Sequence, residues 1–346
     1  MTITYDSAVT TEVTETRYRT GKPGYVREWD GHAWIGEPIP DRCVARLPKR
    51  GVRNWHTHSW MLFVLIGWVI GVVLALLAFT GDEPLTWLLA IAGFFAAGGT
   101  LVAAARIAWA RLDLADVVNL RRILPLGLLS GAVALGLAFG IEKLQMQIPG
   151  PVGSHVGSLF GAGPIEETAK LLVPVLLFFF LGGDVRDPRT GFALVFISGL
   201  VFGIVEGAEY VAGATHLAHD HQMHQHLSAE DTERYGALAM VFVRSFIELM
   251  HPFTVAAVAA VAWLSAWRGK EFFSRPAIVT FILAIVYHSF NDGVLGGIVT
   301  EHQQLLGAAL SFPLLWLWFY FMYLPRARQL APPAVVTGNP RRWRPE

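Results

Sequence analysis

Gly163-Pro164-Ile165-Glu166-Glu167-Thr168-Ala169-Lys170-Leu171-Leu172-Val173-Pro174-Val175-Leu176-Leu177-Phe178-Phe179-Phe180-Leu181 places two glutamates and a lysine at the head of an otherwise apolar run. Residues 165–181 approach the about 20 residues that cross a bilayer as a helix. Glu166 stands four residues before Lys170, the spacing and order that favour an ion pair on one helix face. Each charged group near a bilayer centre costs roughly 2.5–3.5 kcal/mol on insertion scales. Three of them on one span call for partners on neighbouring spans.

The rest of the chain supports a membrane setting. It has 346 residues, 53% of them hydrophobic, and a mean hydropathy of +0.45. Charged residues make up 16%, against roughly 25% in soluble domains. The fold expected is an all-α polytopic membrane protein of about eight transmembrane helices, near 60–79, 85–105, 123–141, 165–181, 191–214, 237–266, 277–299 and 305–324. A net charge of zero offers no basic surface for nucleic acid. The single cysteine, Cys43, excludes an internal disulfide and a metal centre built on cysteines. Residues 1–20 are polar and carry no basic-then-apolar signal pattern, so no cleaved leader is expected.

Basic residues orient the spans. Outer loops keep only Lys143 and Arg234, while Lys170 and Arg244 fall inside spans and every other Lys and Arg lies on segments of the opposite side. Both termini are therefore expected in the cytoplasm of a bacterial cell. Residues 1–59 form an N-terminal tail, 60–324 the membrane domain and 325–346 a C-terminal tail. In the first tail Trp29-Asp30-Gly31-His32-Ala33-Trp34 suits a type I′ hairpin turn, with an unstructured tail as the alternative.

The fourth to seventh spans carry Glu166, Glu167, Lys170, Glu206, Glu209, Arg244, Glu248, His251, His288 and Asp292, and the other four carry no ionisable residue. Arg244, Glu248 and His251 follow i, i+4, i+7 and share a face, as do Phe202, Glu206 and Tyr210, and His288 and Asp292. At 1.5 Å of rise per residue most of these groups fall in the outer half of the bilayer. Glu209 reads as a residue snorkelling to the outer interface. Pro252 removes the helix bond to the Glu248 carbonyl and should kink the sixth span at membrane depth.

Six acids in this set face two fixed cations, so some must be protonated or a bound cation must compensate. A divalent metal such as Zn, held by His251, His288 and a glutamate such as Glu206, would meet the same need. The chain lacks a His-Glu-x-x-His helix, the usual zinc-peptidase signature. A metal-free glutamic mechanism is therefore the first expectation and a zinc mechanism the alternative. Outer residues 215–226 hold His216, His219, His221, His224 and His226, a solvated loop that could bind metal weakly. Glycine-rich residues 149–164 read as a gate over the pocket or as a plain flexible link.

The segments Gly163-Pro164-Ile165-Glu166-Glu167-Thr168-Ala169-Lys170, Phe202-Gly203-Ile204-Val205-Glu206 with Tyr210, Arg244 with His251, and His288-Ser289-Phe290-Asn291-Asp292 occur in that order on four spans. Together they resemble the PrsW family of bacterial intramembrane proteases, within the superfamily of CAAX prenyl proteases and bacteriocin-immunity proteins. The resemblance covers residues from about 160 to 295. It implies hydrolysis of a peptide bond in a membrane-protein substrate, such as a single-span anti-sigma factor, near the outer face of the lipid bilayer. By the same resemblance Glu166 would activate water and Glu206 would hold that water. His288 with Asp292 or Asn291 would stabilise the oxyanion, Lys170 and Arg244 would fix the carboxylates, and Glu167 and His251 would complete the site. Two departures stand out: Gly207 and Asp292 occupy positions where the family often has Asn. An ionised Asp cannot donate to an oxyanion, which leaves Asn291 as the alternative donor. A non-proteolytic proton-coupled transporter and a non-catalytic scaffold glued by its polar cluster are the competing readings.

Overall fold

A computed structural model describes residues 25–29, 34–40, 59–81, 83–111, 114, 118–181, 183–220, 229–267 and 270–296. Eight α-helices follow in order: α1 Ser59–Ala78, α2 Thr86–Arg111, α3 Leu120–Gln145, α4 His155–Phe180, α5 Pro188–Asp220, α6 Ala229–Ile247, α7 Met250–Trp267 and α8 Arg275–Ser289. α8 continues as a π-helical turn, Phe290–Gly296. The N-terminal segment forms a hairpin, β1 Tyr25–Trp29 antiparallel to β2 Trp34–Pro40. Trp29 pairs with Trp34, which leaves four residues between the strands. The expected turn at Asp30-Gly31 lies outside the described residues.

Among the described residues, five helical stretches are long and apolar enough to cross a membrane: Trp60–Ala78, Thr86–Trp109, Leu120–Gln145, Pro188–Ala214 and Glu233–Trp267. The remaining expected spans depart from that pattern for visible reasons. α4 has the length but carries Glu166, Glu167 and Lys170, and α8 has 15 residues before its π-helical turn. The expected span at 305–324 lies outside the described residues. α1 exposes Met61, Leu62, Leu65, Ile66, Val69, Val73, Leu76 and Leu77. A surface of this kind suits lipid rather than water.

Three boundaries differ from the sequence reading. α3 runs to Gln145 and therefore carries Glu142 and Lys143, so ionisable residues are not confined to the four later spans. α4 begins at His155, capped by the Ser154 hydroxyl, which accepts from the Gly157 N–H at 3.0 Å. The glycine-rich stretch is thus mostly helix, preceded by a 3-10 turn, Pro151–Gly153, and clasped by Gln145, whose Nε2 donates to the carbonyls of Val152 and Gly157 at 3.1 and 2.9 Å. α5 extends to Asp220, so His216 and His219 belong to a helix rather than a loop, while residues 221–226 lie outside the described residues.

α5 and α7 form the centre of the bundle. α5 packs against α2, α3, α4, α6 and α7, and α7 buries Val255, Ala256, Ala257, Ala259, Ala260 and Trp263 among others. α6 and α7 are one span broken at Glu248 and Leu249. Pro252 offers no N–H to the Glu248 carbonyl, and the His251 N–H takes that carbonyl instead, at 3.3 Å, tightening the turn. The break lets α5 approach closely at Gly203, where an added β-carbon would lie 2.9 Å from the Glu248 carbonyl oxygen.

Two prolines in α4 free carbonyls in the same way, and neighbouring helices supply hydroxyls to them. Pro164 leaves the Phe160 carbonyl to the Ser289 hydroxyl of α8, at 2.8 Å. Pro174 leaves the Lys170 carbonyl to the Ser198 hydroxyl of α5, at 3.2 Å. Helix-breaking residues are tolerated in lipid only where freed backbone groups are satisfied inside the protein. Here that requirement joins α4 to both of its neighbours.

Candidate active site

Lys170 stands at the middle of the polar cluster and is fully buried. Its ammonium donates to Glu166 Oε2 at 3.0 Å, to Glu167 Oε1 at 3.1 Å and to Nδ1 of His251. Three donors meet three acceptors, and the Phe202 ring lies 4.2 Å from the nitrogen. Glu166 and Glu167 sit about three turns into α4 rather than in its first turn, because the helix starts early.

Glu167 has no exposed surface. Its Oε1 meets His288 Nδ1 at 2.8 Å in addition to Lys170, and its Oε2 accepts from the Thr254 hydroxyl at 2.9 Å. A carboxylate facing Lys170 only accepts, so a His288 proton belongs on Nδ1, and Nε2 needs a second proton or a cation to meet the carboxylate beside it. That Nε2 lies 3.0 Å from Asp292 Oδ2 and 3.6 Å from Glu166 Oε2. Asn291 Nδ2 donates to the other Asp292 oxygen at 2.9 Å.

Arg244 organises the second half. Its Nη2 meets Glu206 Oε1 at 2.9 Å, its Nε lies 2.6 Å from Glu248 Oε1, and the guanidinium stacks 3.5 Å from the centroid of the half-buried Tyr210 ring. His251 joins the halves: Nε2 is 2.7 Å from Glu206 Oε2 and 3.0 Å from Glu248 Oε2, while Nδ1 is 3.7 Å from Glu166 Oε2. The two imidazoles lie 5.3 Å apart between centroids.

Exposure divides the cluster. The side chains of Glu166, Glu206 and Asp292 retain 7%, 6% and 6% of their accessible surface, whereas Glu167, Lys170, Glu248, His251 and His288 retain none. The first three acids, with Asn291, Arg244 and the half-buried Tyr210 beside them, present an edge to an entering molecule. Glu209 is exposed and outside the cluster. Every other sequence-derived candidate is brought into it: Glu166, Glu167, Lys170, Glu206, Tyr210, Arg244, His251, His288, Asn291 and Asp292.

The profile of the PrsW family intramembrane metalloproteases matches residues 120–324, more than half of the chain. The chain belongs to the PrsW family. The match begins at the first residue of α3, well before the earliest motif that carries the resemblance. No curated protein and no solved structure matches the chain. This PrsW-family protein is a peptide-bond hydrolase held in the membrane by several helices, with a membrane-embedded protein as its substrate and the bilayer as its surroundings.

The family's description as metalloproteases calls for a test of the donor set. Two buried groups bring ligand atoms within 4.8 Å of one another: Glu166, His251 and His288, and Glu206, Glu248 and His251. Imidazole nitrogens with carboxylate oxygens are the ligands that hold zinc. The His251 and His288 Nε2 atoms, Glu206 Oε2 and both Glu248 oxygens are buried without a partner in hydrogen-bond geometry. With Asp292 Oδ2 3.0 Å and Glu166 Oε2 3.6 Å from His288 Nε2, these three residues fit a divalent metal.

At Gly207 an added β-carbon would come 2.9 Å from Ala97 Cβ and 3.1 Å from Glu248 Cγ. The space that an Asn would need at this position is filled by Glu248. Thr254 and Glu142 are the site-adjacent groups missed from sequence. Thr254 follows His251 by three residues on one face, a signal hidden because a membrane threonine ordinarily bonds its own helix; here the Met250 carbonyl, 2.9 Å from the hydroxyl, competes with Glu167 for its single proton.

Proposed function

We propose that this protein cleaves a single-span bacterial membrane protein near the outer membrane face, with water activated by Glu166. The observation that carries the reading is the pairing of a partly open acid with a buried imidazole nitrogen. Glu166 Oε2 is held by Lys170 and lies 3.6 Å from His288 Nε2, and the Glu166 side chain keeps 7% of its surface accessible. A carboxylate fixed in orientation at the edge of a desolvated pocket is the arrangement that general-base catalysis needs. Water gives its proton to Glu166 as its oxygen bonds to the scissile carbonyl carbon. The tetrahedral intermediate then collapses as Glu166 returns that proton to the departing amine and the C–N bond breaks, leaving a carboxylic acid, which ionises to water, and an amine.

Glu206 shares the opening and holds the far side of that water, oriented by Arg244. Asn291 and Arg244 are the donors nearest the edge and suit the oxyanion. Asp292 accepts from Asn291 and so orients this donor rather than serving as one. Glu167, buried with both oxygens engaged, is a positioning residue for Lys170 and His288. His251 holds Glu206 against the Lys170 half of the site.

A metal, Zn in the first instance, would be held by His288 Nε2 with Glu166 and Asp292. Lys170 donates to His251 Nδ1, which puts the ring proton on Nε2 and withdraws His251 from both ligand groups. When bound, the metal would supply a Lewis acid and lower the pKa of its water. Glu167 on His288 Nδ1 is the carboxylate partner that metal-binding imidazoles commonly have.

The deciding experiment compares new protein termini in native membranes containing wild type or Glu166→Gln at matched levels. Juxtamembrane fragments found only with the wild type are expected, and they name the substrate. Identical termini in both would overturn the peptidase reading and favour a proton-coupled transporter or a scaffold.

A further inference from the structure

Glu142 belongs to the last turn of α3, outside every motif that the catalytic reading uses. Its side chain continues, one turn further out, the face on which Leu135 and Ala138 pack against Ala169 of α4 and Phe202 of α5, level with Glu166 and Glu206. One oxygen, Oε1, is buried with no hydrogen-bond partner. Lys143, the next residue, does not serve it; Lys143 is exposed and acts on Glu209, as does Arg244. Among the described residues no ion pair forms on the Glu142 side chain. Glu166 and Glu206, one turn on from Ala169 and Phe202, are among the acids that keep an open edge.

An unpaired carboxylate level with other acids is costly unless a cation enters with the molecule that fills the opening. Lysine and arginine side chains bring such a cation on a flexible stem that reaches past the scissile bond. We propose that Glu142 is a specificity-determining residue that receives a Lys or Arg side chain flanking the scissile bond of the substrate. The proposal rests on the peptidase reading. It names the substrate class: membrane proteins with a basic residue beside the cleaved bond. Glu142 takes no part in proton transfer, since Glu166 and Glu206 already occupy the water.

The test maps cleavage sites by their new termini in native membranes containing full-length wild type, Glu142→Gln, Glu142→Lys or Glu142→Asp, with Glu166→Gln as background. Wild type and Glu142→Asp are expected to enrich Lys or Arg at one position near the cut. Glu142→Gln should lose about tenfold of cleavage at those sites, the size of one desolvated charge pair, while sites without a basic residue are cut as before. Glu142→Lys should favour Asp or Glu at the same position, which a misfolded enzyme cannot do. An unchanged profile in all variants overturns the proposal and leaves the peptidase standing. Equal loss at all sites also overturns it, because Glu142 would then serve structure or general chemistry. No cleavage above the Glu166→Gln background removes the peptidase reading and this proposal together.

Discussion

Thr254 shows how finely the buried charges are matched. Among the described residues its hydroxyl is the one donor to Glu167 Oε2, and the residue is itself fully buried. Thr254→Val keeps the shape and removes the donor, which should cost about 1.5–3 kcal/mol, the worth of a hydrogen bond to a charged group. A lowered thermal midpoint in detergent would register it, and an unchanged midpoint would mean that Glu167 finds another donor. His288→Ala should reduce zinc per purified protein at least tenfold, measured by elemental mass spectrometry, while His251→Gln should leave it nearly unchanged if Lys170 owns the His251 nitrogen. Residues such as Glu166, Lys170 and His251 were legible in the sequence because ionisable groups inside apolar runs have no ordinary explanation. Thr254 gave no such signal, and Glu142 fell one residue past the end of the expected span. Hydropathy marks where an apolar run stops, whereas the helix continues until its backbone bonds run out.

Elements were legible to the extent that packing left their intrinsic tendencies alone. The break between α6 and α7 followed from Pro252 by itself, since no arrangement restores the missing N–H. The start of α4 did not follow, because residues 155–163 are rich in glycine and serine and disfavour helix on propensity. Packing against α8 overrides that tendency, and the Ser289 bond to the carbonyl freed by Pro164 is part of it. Ser289→Ala should therefore loosen the front of α4, at a cost of about 1–3 kcal/mol for the stranded carbonyl. Faster amide hydrogen exchange confined to residues near 160–164 would show it. Gly203→Ala is expected to be worse, because the new methyl meets the Glu248 carbonyl at 2.9 Å and must push the kink away from α5. Loss of cleavage with helix content retained would be the outcome.

At the scale of the whole molecule, the sequence reading of orientation makes a direct prediction. With Cys43 changed to Ser, a cysteine placed at the exposed Lys143 or Glu209 should react with a membrane-impermeant maleimide added outside intact cells. Labelling only after cells are opened would invert the topology and move the cleavage to the inner face. The bundle also constrains how it can be made. α4, with its two glutamates and lysine, is not among the helices apolar enough to enter lipid alone. Within α4, Lys170 neutralises part of that charge, yet its remaining N–H, the second Glu167 oxygen and two proline-freed carbonyls all find partners on α5, α7 and α8. Those helices are synthesised later. α4 must therefore wait at the protein-conducting channel, or sit shallow at the interface, until the chain behind it arrives. The chemistry of the site cannot begin before biogenesis is nearly over, and a nascent chain that stalls before α7 is delivered with an inert, poorly inserted α4 rather than with a half-formed protease.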